Sequence, residues 1–231
     1  VKAFDEFHHL ELKSDKNIVE LSRKLKIDIA VDLMGFTKNN RFEVFIERCA
    51  PIQINFLGYS GTTGANCIDY IVGDKNLISK NNQKQYSEKI INLPGSFMIN
   101  DSNKKISDKN FSKKELFLPE KSFVFCCFNN FYKITPNVFD IWMRILKKNK
   151  KSVLWLSEGN STVVKNLKKE AESRSVEQNR IIFSKKMPLL SDHLARHNLA
   201  DLFLDTFPYN AHSTCSDALY SGLPVITKAG N

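Results

Sequence analysis

The sequence has no apolar run of the ~18 residues that a membrane-spanning helix requires, and its first residues do not resemble a signal peptide. Its five cysteines include no CxxC pair and do not form the framework of a disulfide-rich secreted domain. We therefore predict a protein of the reducing cytoplasm, with no disulfide framework and no membrane partner.

The common phosphate-binding motifs are also missing. Residues 58–64 (GYSGTTG) follow a predicted strand, but they carry no Walker lysine and do not match the dinucleotide GxGxxG spacing. Three glycines and two threonines in seven residues still allow a ligand to approach the backbone closely. By itself this loop is only a weak indication of a binding site.

No histidine pattern predicts a metal site. His193 and His197 have the i, i+4 spacing of metal ligands, but the segment lacks the glutamate of HExxH and offers no third ligand. The adjacent side chains of His8 and His9 point in different directions, so surface or loop positions are expected. We predict that no metal is needed and that His193 instead stacks on, or hydrogen bonds to, a base.

The net charge of +9 raises the possibility of a nucleic-acid partner. However, the lysines are scattered, and the runs at residues 147–151 and 113–114 fall at a predicted helix end and in a predicted linker. We predict no nucleic-acid partner. A basic RNA-binding module remains an alternative, and steep salt dependence would reveal it.

Hydrophobic residues make up 42% of the chain, which is ample for a packed core in two units. The polar segment 100–114 is predicted to be a linker, with the boundary between residues 111 and 112. In the first half, periodicity predicts helices over residues 17–26 and 42–48 and strands over 27–33, 52–57 and 69–73.

Strands and helices alternate in the second half. Strands are predicted over residues 123–128, 152–156, 180–183, 202–204 and 224–227, with helices starting at Pro136 and spanning 161–174, 190–198 and 215–221. This alternation predicts an α/β fold with a parallel sheet. Right-handed crossovers would place the loops 129–133, 185–192 and 210–217 at one edge.

The closing segment, residues 199–231, places a histidine-bearing loop between a strand and a helix. Ser213 or Thr214 is expected to be the helix N-cap, and Gly222 stands where the helix should end. A helix N-terminus at the carboxyl end of a strand suits a phosphate. Spacing alone leaves open a nucleotide site or an ordinary βα loop, and Lys133 could contact a diphosphate or simply be a solvated lysine.

Several blocks in the same order resemble the catalytic region of the O-GlcNAc transferases, glycosyltransferase family 41, which includes the SPINDLY-like proteins. These blocks are IDIAVDLMGFT at 27–37, RCAPIQ through LGYSGTTG at 48–64, FNNFYKI at 128–134 and LADLFLDTFPYNAHSTCSDALYSGLPVIT at 199–227. The resemblance covers nearly the whole chain. It implies a GT-B fold, with residues 1–111 from the first, acceptor-side Rossmann-like lobe and 112–231 from the second, nucleotide-sugar-binding lobe.

The resemblance also implies an activity. The family's reaction is an inverting, metal-independent transfer of N-acetylglucosamine from UDP-GlcNAc to Ser/Thr hydroxyls of proteins, without a cofactor. By motif position, Lys133 and His212 would be catalytic. Lys133 would contact the diphosphate with Asn130 beside it, and His212, Ser213 and Thr214 would present side chains and helix-start amides to the phosphates.

The rest of the donor site follows by the same motif positions. Asp217 would bind the ribose hydroxyls, and His193 and Arg196 would flank the uracil. The implied sugar pocket consists of Leu57, Gly58 and Tyr132.

The chain departs from the family pattern at three points: Cys49 and Ser60 replace prolines, and the loop 185–192 is one residue longer, so that its usual basic residue is not placed. The start at Val1 and the end at Asn231 predict a fragment, inactive by itself and without tetratricopeptide repeats. The alternatives are a GDP-fucose donor, a glycan acceptor, or a catalytically incomplete nucleotide-binding module.

Overall fold

The computed structural model describes residues 4–230 and divides into two compact units, Val1–Ile99 (the first unit) and Asn100–Asn231 (the second unit). The predicted chain ends, Val1 and Asn231, lie outside the described residues. The division falls after Ile99 rather than after the expected residue 111. Part of the predicted linker 100–114 is hydrogen bonded within the second unit: the Ser107 amide donates to the Ser191 carbonyl at 3.1 Å.

The first unit contains the five elements that the periodicity predicted, with shifted ends, and one further strand, Lys89–Leu93. They are α1 (Asp15–Lys24), β1 (Ile29–Asp32), α2 (Glu43–Ile46), β2 (Ile52–Asn55), β3 (Tyr70–Asp74) and β4 (Lys89–Leu93). The strands form a parallel sheet in the order β1-β2-β3-β4. Ser14 caps α1 by accepting from the Asn17 amide, and Val19 packs with Val44 and Cys49 in a small core.

The second unit contains five strands and four α-helices among its described residues. They are β5 (Phe123–Cys127), α3 (Pro136–Lys148), β6 (Ser152–Ser157), α4 (Ser161–Ser173), β7 (Ile181–Ser184), α5 (Leu190–Ala195), β8 (Leu202–Leu204), α6 (Ser213–Tyr220) and β9 (Val225–Ile226). All strand pairs are parallel, in the order β7-β6-β5-β8-β9. This confirms the predicted parallel α/β sheet.

The start of α3 follows from its sequence, but its buried face differs from the expected one. Thr135 caps the helix by accepting from the Val138 amide, and proline takes the first turn. Val138, Trp142 and Leu146 are buried as expected, whereas Ile141 is 46% exposed. Phe139 and Met143 are buried instead. The face of α3 that packs on the core therefore extends from Val138, Trp142 and Leu146 towards Phe139 and Met143, and not towards Ile141.

The core of the second unit is centred on β5 and β6, whose side chains are almost all buried. Parallel strands covered on both faces consist of continuous apolar runs, which explains why these two were easily predicted. Trp155 and Phe203 are among the largest fully buried side chains. No helix among residues 4–230 is both long and apolar enough to cross a membrane, and all five cysteines are free thiols.

Candidate functional site

The strand order in the sheet of the second unit reverses between β5 and β8. Counted from β5, the strand order is 3-2-1-4-5, and the chain crosses from one side of β5 to the other between β7 and β8. Phe125 pairs with Leu202, and Cys126 pairs with Phe203. Ligands of open α/β sheets bind outside the carboxyl ends of the strands at such a switch point. The loops that follow β5 and β8 meet there.

Asp205, the first residue after β8, organises the loop that follows it. Its carboxylate accepts hydrogen bonds from the amides of Thr206 and Ala211, both at 2.7 Å, and from the Asn210 side chain at 3.0 Å. The Thr227 hydroxyl also donates to it, at 2.6 Å. Our sequence reasoning treated this aspartate only as the end of a strand. It holds the backbone of the loop that leads to α6.

Asn129 was also missed. The side chain is 2% exposed, donates to the Thr206 hydroxyl at 2.8 Å and to Asp205 at 3.2 Å, and accepts from the Thr214 hydroxyl. A buried amide must be hydrogen bonded on both sides. The available signal was its place directly after a buried strand, in the pair Asn129-Asn130.

Lys133 lies where the motif predicted, in the loop after β5. Its ammonium group donates to the Asn210 carbonyl at 2.9 Å and lies 3.8 Å from the centre of the Tyr209 ring. Burial lowers the pKa of Lys133, while the nearby Asp205 acts in the opposite direction. Lys133 is half-buried and fixed rather than a freely solvated lysine. Asn130 is exposed, and its side-chain oxygen accepts from the Tyr132 amide at 3.5 Å.

The start of α6 differs from the prediction. The helix begins at Ser213, so His212 is the N-cap, and its side chain does not make a capping hydrogen bond to the helix. Ser213 and Thr214 were expected to cap, but the Thr214 hydroxyl is bonded to Asn129, and Ser213 is exposed in the first turn. Burial and the neighbouring Lys133 lower the pKa of His212, which therefore stays neutral near pH 7.

A cavity of about 510 Å³ lies beside this helix start. Its lining includes Phe128, Lys186, His193, Arg196, Thr214 and Asp217. Lys186 comes from the loop after β7, where the sequence could not place a basic residue. Burial, with a smaller contribution from Arg196, lowers the pKa of His193 to about 4, so this ring is also neutral near pH 7.

Arg196 lines this cavity, but its side chain is almost fully buried and does not project freely into it. It is 2% exposed, donates to the Ser184 hydroxyl at 3.1 Å and to the Lys185 carbonyl at 3.0 Å, and lies 4.1 Å from the centre of the Phe128 ring. Burial lowers its pKa to about 10, so the guanidinium remains charged. Arg196 therefore places a positive charge in the wall of the cavity.

Asp217, one turn into α6, lines the same cavity and forms an ion pair with Lys104 at 2.8 Å. Lys104 lies in the segment that the sequence indicated as a linker. No local pattern indicates a contact across 113 residues.

His193 and His197 do not form a metal site with any third ligand. Among residues 4–230 there is no group of three or more His, Cys, Asp or Glu side chains that could hold a metal ion. The ring centres are 4.8 Å apart, and His197 Nδ1 lies 2.8 Å from the His193 carbonyl oxygen. Because a carbonyl can only accept, Nδ1 carries a proton, and His197 serves to hold the helix turn.

The comparison with protein families decides the identification. The model for "Glycosyl transferase family 41" matches residues 11–111 and 110–231. The chain belongs to glycosyl transferase family 41.

Individual relatives agree with this family 41 assignment. The chain is 36% identical over 228 residues to "Probable UDP-N-acetylglucosamine--peptide N-acetylglucosaminyltransferase SEC" of Arabidopsis thaliana, covering 96% of this chain and 23% of the relative. It is 32% identical over 220 residues to "Probable UDP-N-acetylglucosamine--peptide N-acetylglucosaminyltransferase SPINDLY" of Hordeum vulgare. That match covers 94% of this chain and 23% of the relative. The chain therefore spans about a quarter of the length of these relatives.

A solved structure extends the likeness to the fold. The K341M mutant of Thermobaculum terrenum O-GlcNAc transferase matches 98% of this chain and 42% of its own chain, with a TM-score of 0.84 and 30% identity. The GT-B fold predicted from the sequence is confirmed for this family 41 chain.

The predicted family 41 site residues fall into two groups. Those of the second unit gather at the switch point and its cavity: Asn130, Lys133, His193, Arg196, His212, Ser213, Thr214 and Asp217 lie in the loops after β5 and β8 or on α5, α6 and the helical turn after α5. Tyr132 lies in the same unit, 64% exposed, with its ring centre 6.3 Å from that of Tyr209.

The other two sugar-pocket candidates, Leu57 and Gly58, lie in the first unit after β2. Leu57 has a positive φ of 72°, and a Cβ on Gly58 would overlap the Leu33 carbonyl, so only glycine fits there. The following loop is held by Glu88, which accepts from the Thr63 amide at 2.6 Å and the Thr62 hydroxyl at 2.7 Å. Glu88 was not singled out from the sequence.

Proposed function

We propose that this protein is part of a glycosyltransferase that moves N-acetylglucosamine from UDP-GlcNAc to Ser/Thr hydroxyls of proteins, with inversion and without a metal. One observation carries the proposal: Lys133 and the start of α6 lie together at the switch point of the second sheet. Family membership and the printed names of the relatives support this donor and acceptor. The free thiols suit a cytoplasmic setting.

The phosphate end of the site suits a diphosphate leaving group. As the bond from the anomeric carbon to the diphosphate breaks, negative charge develops on the departing oxygen. A fixed cation in a partly dry site, here Lys133, stabilises that charge more than a mobile lysine in water does. The N-terminus of α6 adds its dipole and amides, and a neutral His212 can donate a hydrogen bond without adding charge.

The nucleoside end suits a base and a ribose. The cavity combines the neutral ring of His193 and the apolar ring of Phe128 with the carboxylate of Asp217. Neutral aromatic groups stack on a base, and a carboxylate accepts hydrogen bonds from sugar hydroxyls. We assign the base to the His193 side of the cavity and the ribose to Asp217.

The acceptor step depends on positioning. In an inverting transfer, the acceptor hydroxyl attacks the anomeric carbon from the side opposite the leaving diphosphate, so the two oxygens must be in line. In this proposal Tyr132 of the second unit contacts the transferred sugar. Its ring is 64% exposed and therefore available for that role.

Nucleotide binding to this chain tests the proposal. Calorimetric titration with UDP and with GDP would be done on the wild type, Lys133→Ala and His212→Ala, with Lys150→Ala as a matched surface-lysine control. We expect UDP to bind, with at least about tenfold weaker binding in the two site variants and no change in the control. Preference for GDP would move the donor to GDP-fucose, and a folded chain that binds neither nucleotide would contradict the proposal.

A further inference from the structure

A polar segment of the second unit, residues 102–109, is fastened to α5 and α6; we call it the strap. The Tyr220 hydroxyl, at the end of α6, lies 3.1 Å from the Ser102 carbonyl oxygen and 2.8 Å from that of Lys104. The Ser107 amide donates to the Ser191 carbonyl on α5. The strap is therefore hydrogen bonded to α5 and α6, the two helices that line the proposed nucleoside cavity.

Two lysines of the strap form ion pairs of nearly equal length. Lys104 lies 2.8 Å from Asp217, and Lys109 lies 2.7 Å from Asp192. Their surroundings differ: the Lys104 and Asp217 side chains are 17% and 13% exposed, whereas that of Lys109 is 61% exposed. Water and salt weaken an exposed pair much more than a largely buried one.

Only one of these pairs reaches the cavity. Asp217 is part of its lining, and Asp192 is not. Lys104 contacts the Oδ1 atom of Asp217, and no residue among 4–230 hydrogen bonds to Oδ2. A carboxylate has about four acceptor positions, so the pairing with Lys104 leaves acceptor capacity on Asp217 unused.

We propose that Lys104 is a positioning residue for ribose recognition: by holding one oxygen of Asp217, it fixes the carboxylate so that the other oxygen accepts from the ribose hydroxyls of the nucleotide. The inference rests on the proposed function, since it needs a nucleotide in this cavity. A carboxylate side chain without a bound partner is free to change rotamer. The ion pair with Lys104 removes that freedom and makes the strap part of the donor site.

The chemical consequence is selectivity for a nucleotide with ribose hydroxyls. Hydrogen bonds to a charged acceptor are worth enough to favour UDP over 2′,3′-dideoxy-UDP by about tenfold or more. That preference depends on the carboxylate being charged and oriented. Base and phosphate contacts are the same for both nucleotides, so the ratio of their affinities isolates this interaction.

The test is calorimetric titration of UDP and 2′,3′-dideoxy-UDP into the wild type, Lys104→Met and Lys104→Arg. Lys109→Met is the matched control, because it removes the strap's other ion pair. We expect the wild type and Lys109→Met to prefer UDP by about tenfold or more. We expect Lys104→Met to bind both nucleotides equally, at the wild-type affinity for the dideoxy compound, and Lys104→Arg to recover most of the preference.

A purely structural role for Lys104 predicts another pattern. Binding of both nucleotides would weaken together in Lys104→Met, with the wild-type ratio kept, and that result overturns the inference. Tyr220→Phe serves if Lys104→Met does not fold: it releases the strap backbone without removing a charge, and a reduced ratio is expected, whereas an unchanged ratio contradicts the inference. A folded wild type that binds neither nucleotide overturns the proposed function as well, so the two failures are distinct.

Discussion

Thr214, in the first turn of α6, donates its hydroxyl to the side-chain oxygen of Asn129, which lies 85 residues earlier in the loop after β5. The amide of the same asparagine donates to the Thr206 hydroxyl in the loop after β8. One buried side chain thus joins both loops of the switch point to the helix start. The position of Lys133 relative to α6 depends on this connection.

Replacing Asn129 should therefore loosen the site and the unit together. We expect Asn129→Ala to lower the free energy of unfolding by about 1–3 kcal/mol, because the hydroxyls of Thr206 and Thr214 lose buried partners. Urea denaturation followed by circular dichroism measures this. The exposed neighbour is the control: Asn130→Ala should change stability by less than about 0.5 kcal/mol. Equal losses in both variants would contradict the assignment.

His193 should make the protein less stable in mild acid. Its pKa is about 4 in the folded chain against an ordinary value of 6.5, so the unfolded chain binds the proton more readily. Stability should be full above about pH 6.5 and fall as the pH drops towards 4. His193→Asn should flatten this part of the profile, measured as denaturation midpoints from pH 7.5 to 4.5, and His9→Asn, an exposed control, should not.

Arg196 should contribute to stability mainly through the packing of its long side chain. It stacks on Phe128, within 5.7 Å of the centre of the Trp155 ring, and no acidic side chain pairs with it among residues 4–230. We expect Arg196→Ala to cost about 2–4 kcal/mol of unfolding free energy, since it leaves a cavity, and Arg196→Met to cost clearly less. Thermal and urea denaturation of both variants measure this. If Arg196→Ala and Arg196→Met lose equal unfolding free energy, the hydrogen bonds to Ser184 and Lys185 matter more than packing.

Glu88 should control the loop after β2 in the first unit. Burial opposes its ionisation, but hydrogen bonds from Thr63 and Thr62 outweigh that effect and lower its pKa. Its contribution to stability is therefore present above the ordinary value of 4.5 and is lost as the pH falls below it. We expect Glu88→Gln to lower the melting temperature at pH 7, with a smaller loss at pH 4. A loss independent of pH would show that charge plays no part.

Local sequence patterns predicted most elements because each depends on nearby residues. The apolar runs of β5 and β6 indicate strands buried on both faces, and Thr135 followed by proline marks the start of α3. The donor-site residues were predicted through motif position. Their gathering at one edge followed from the parallel order of the strands.

The missed features depend on contacts between distant residues. From its sequence neighbours, Lys104 is predicted to be part of a polar linker, because no local pattern indicates its ion pair with Asp217. The sequence predicts Thr214 as a possible N-cap. In the structure its hydroxyl donates to the Asn129 side chain, and His212 occupies the N-cap position. Buried polar pairs of this kind are set by the assembled fold, so local propensity does not predict them.

The central place of β5 in its sheet has a consequence for biosynthesis. The carboxylate of Asp201, just before β8, accepts from the Val124 amide across a separation of 77 residues. At about 5–20 residues per second, a ribosome needs about 4–15 s to add that stretch. During this time β6 can cover one side of β5, while the other side remains an open, apolar strand edge, the kind that pairs with other chains. Nascent chains that pause before Leu202 should be the form of this protein most in need of a chaperone.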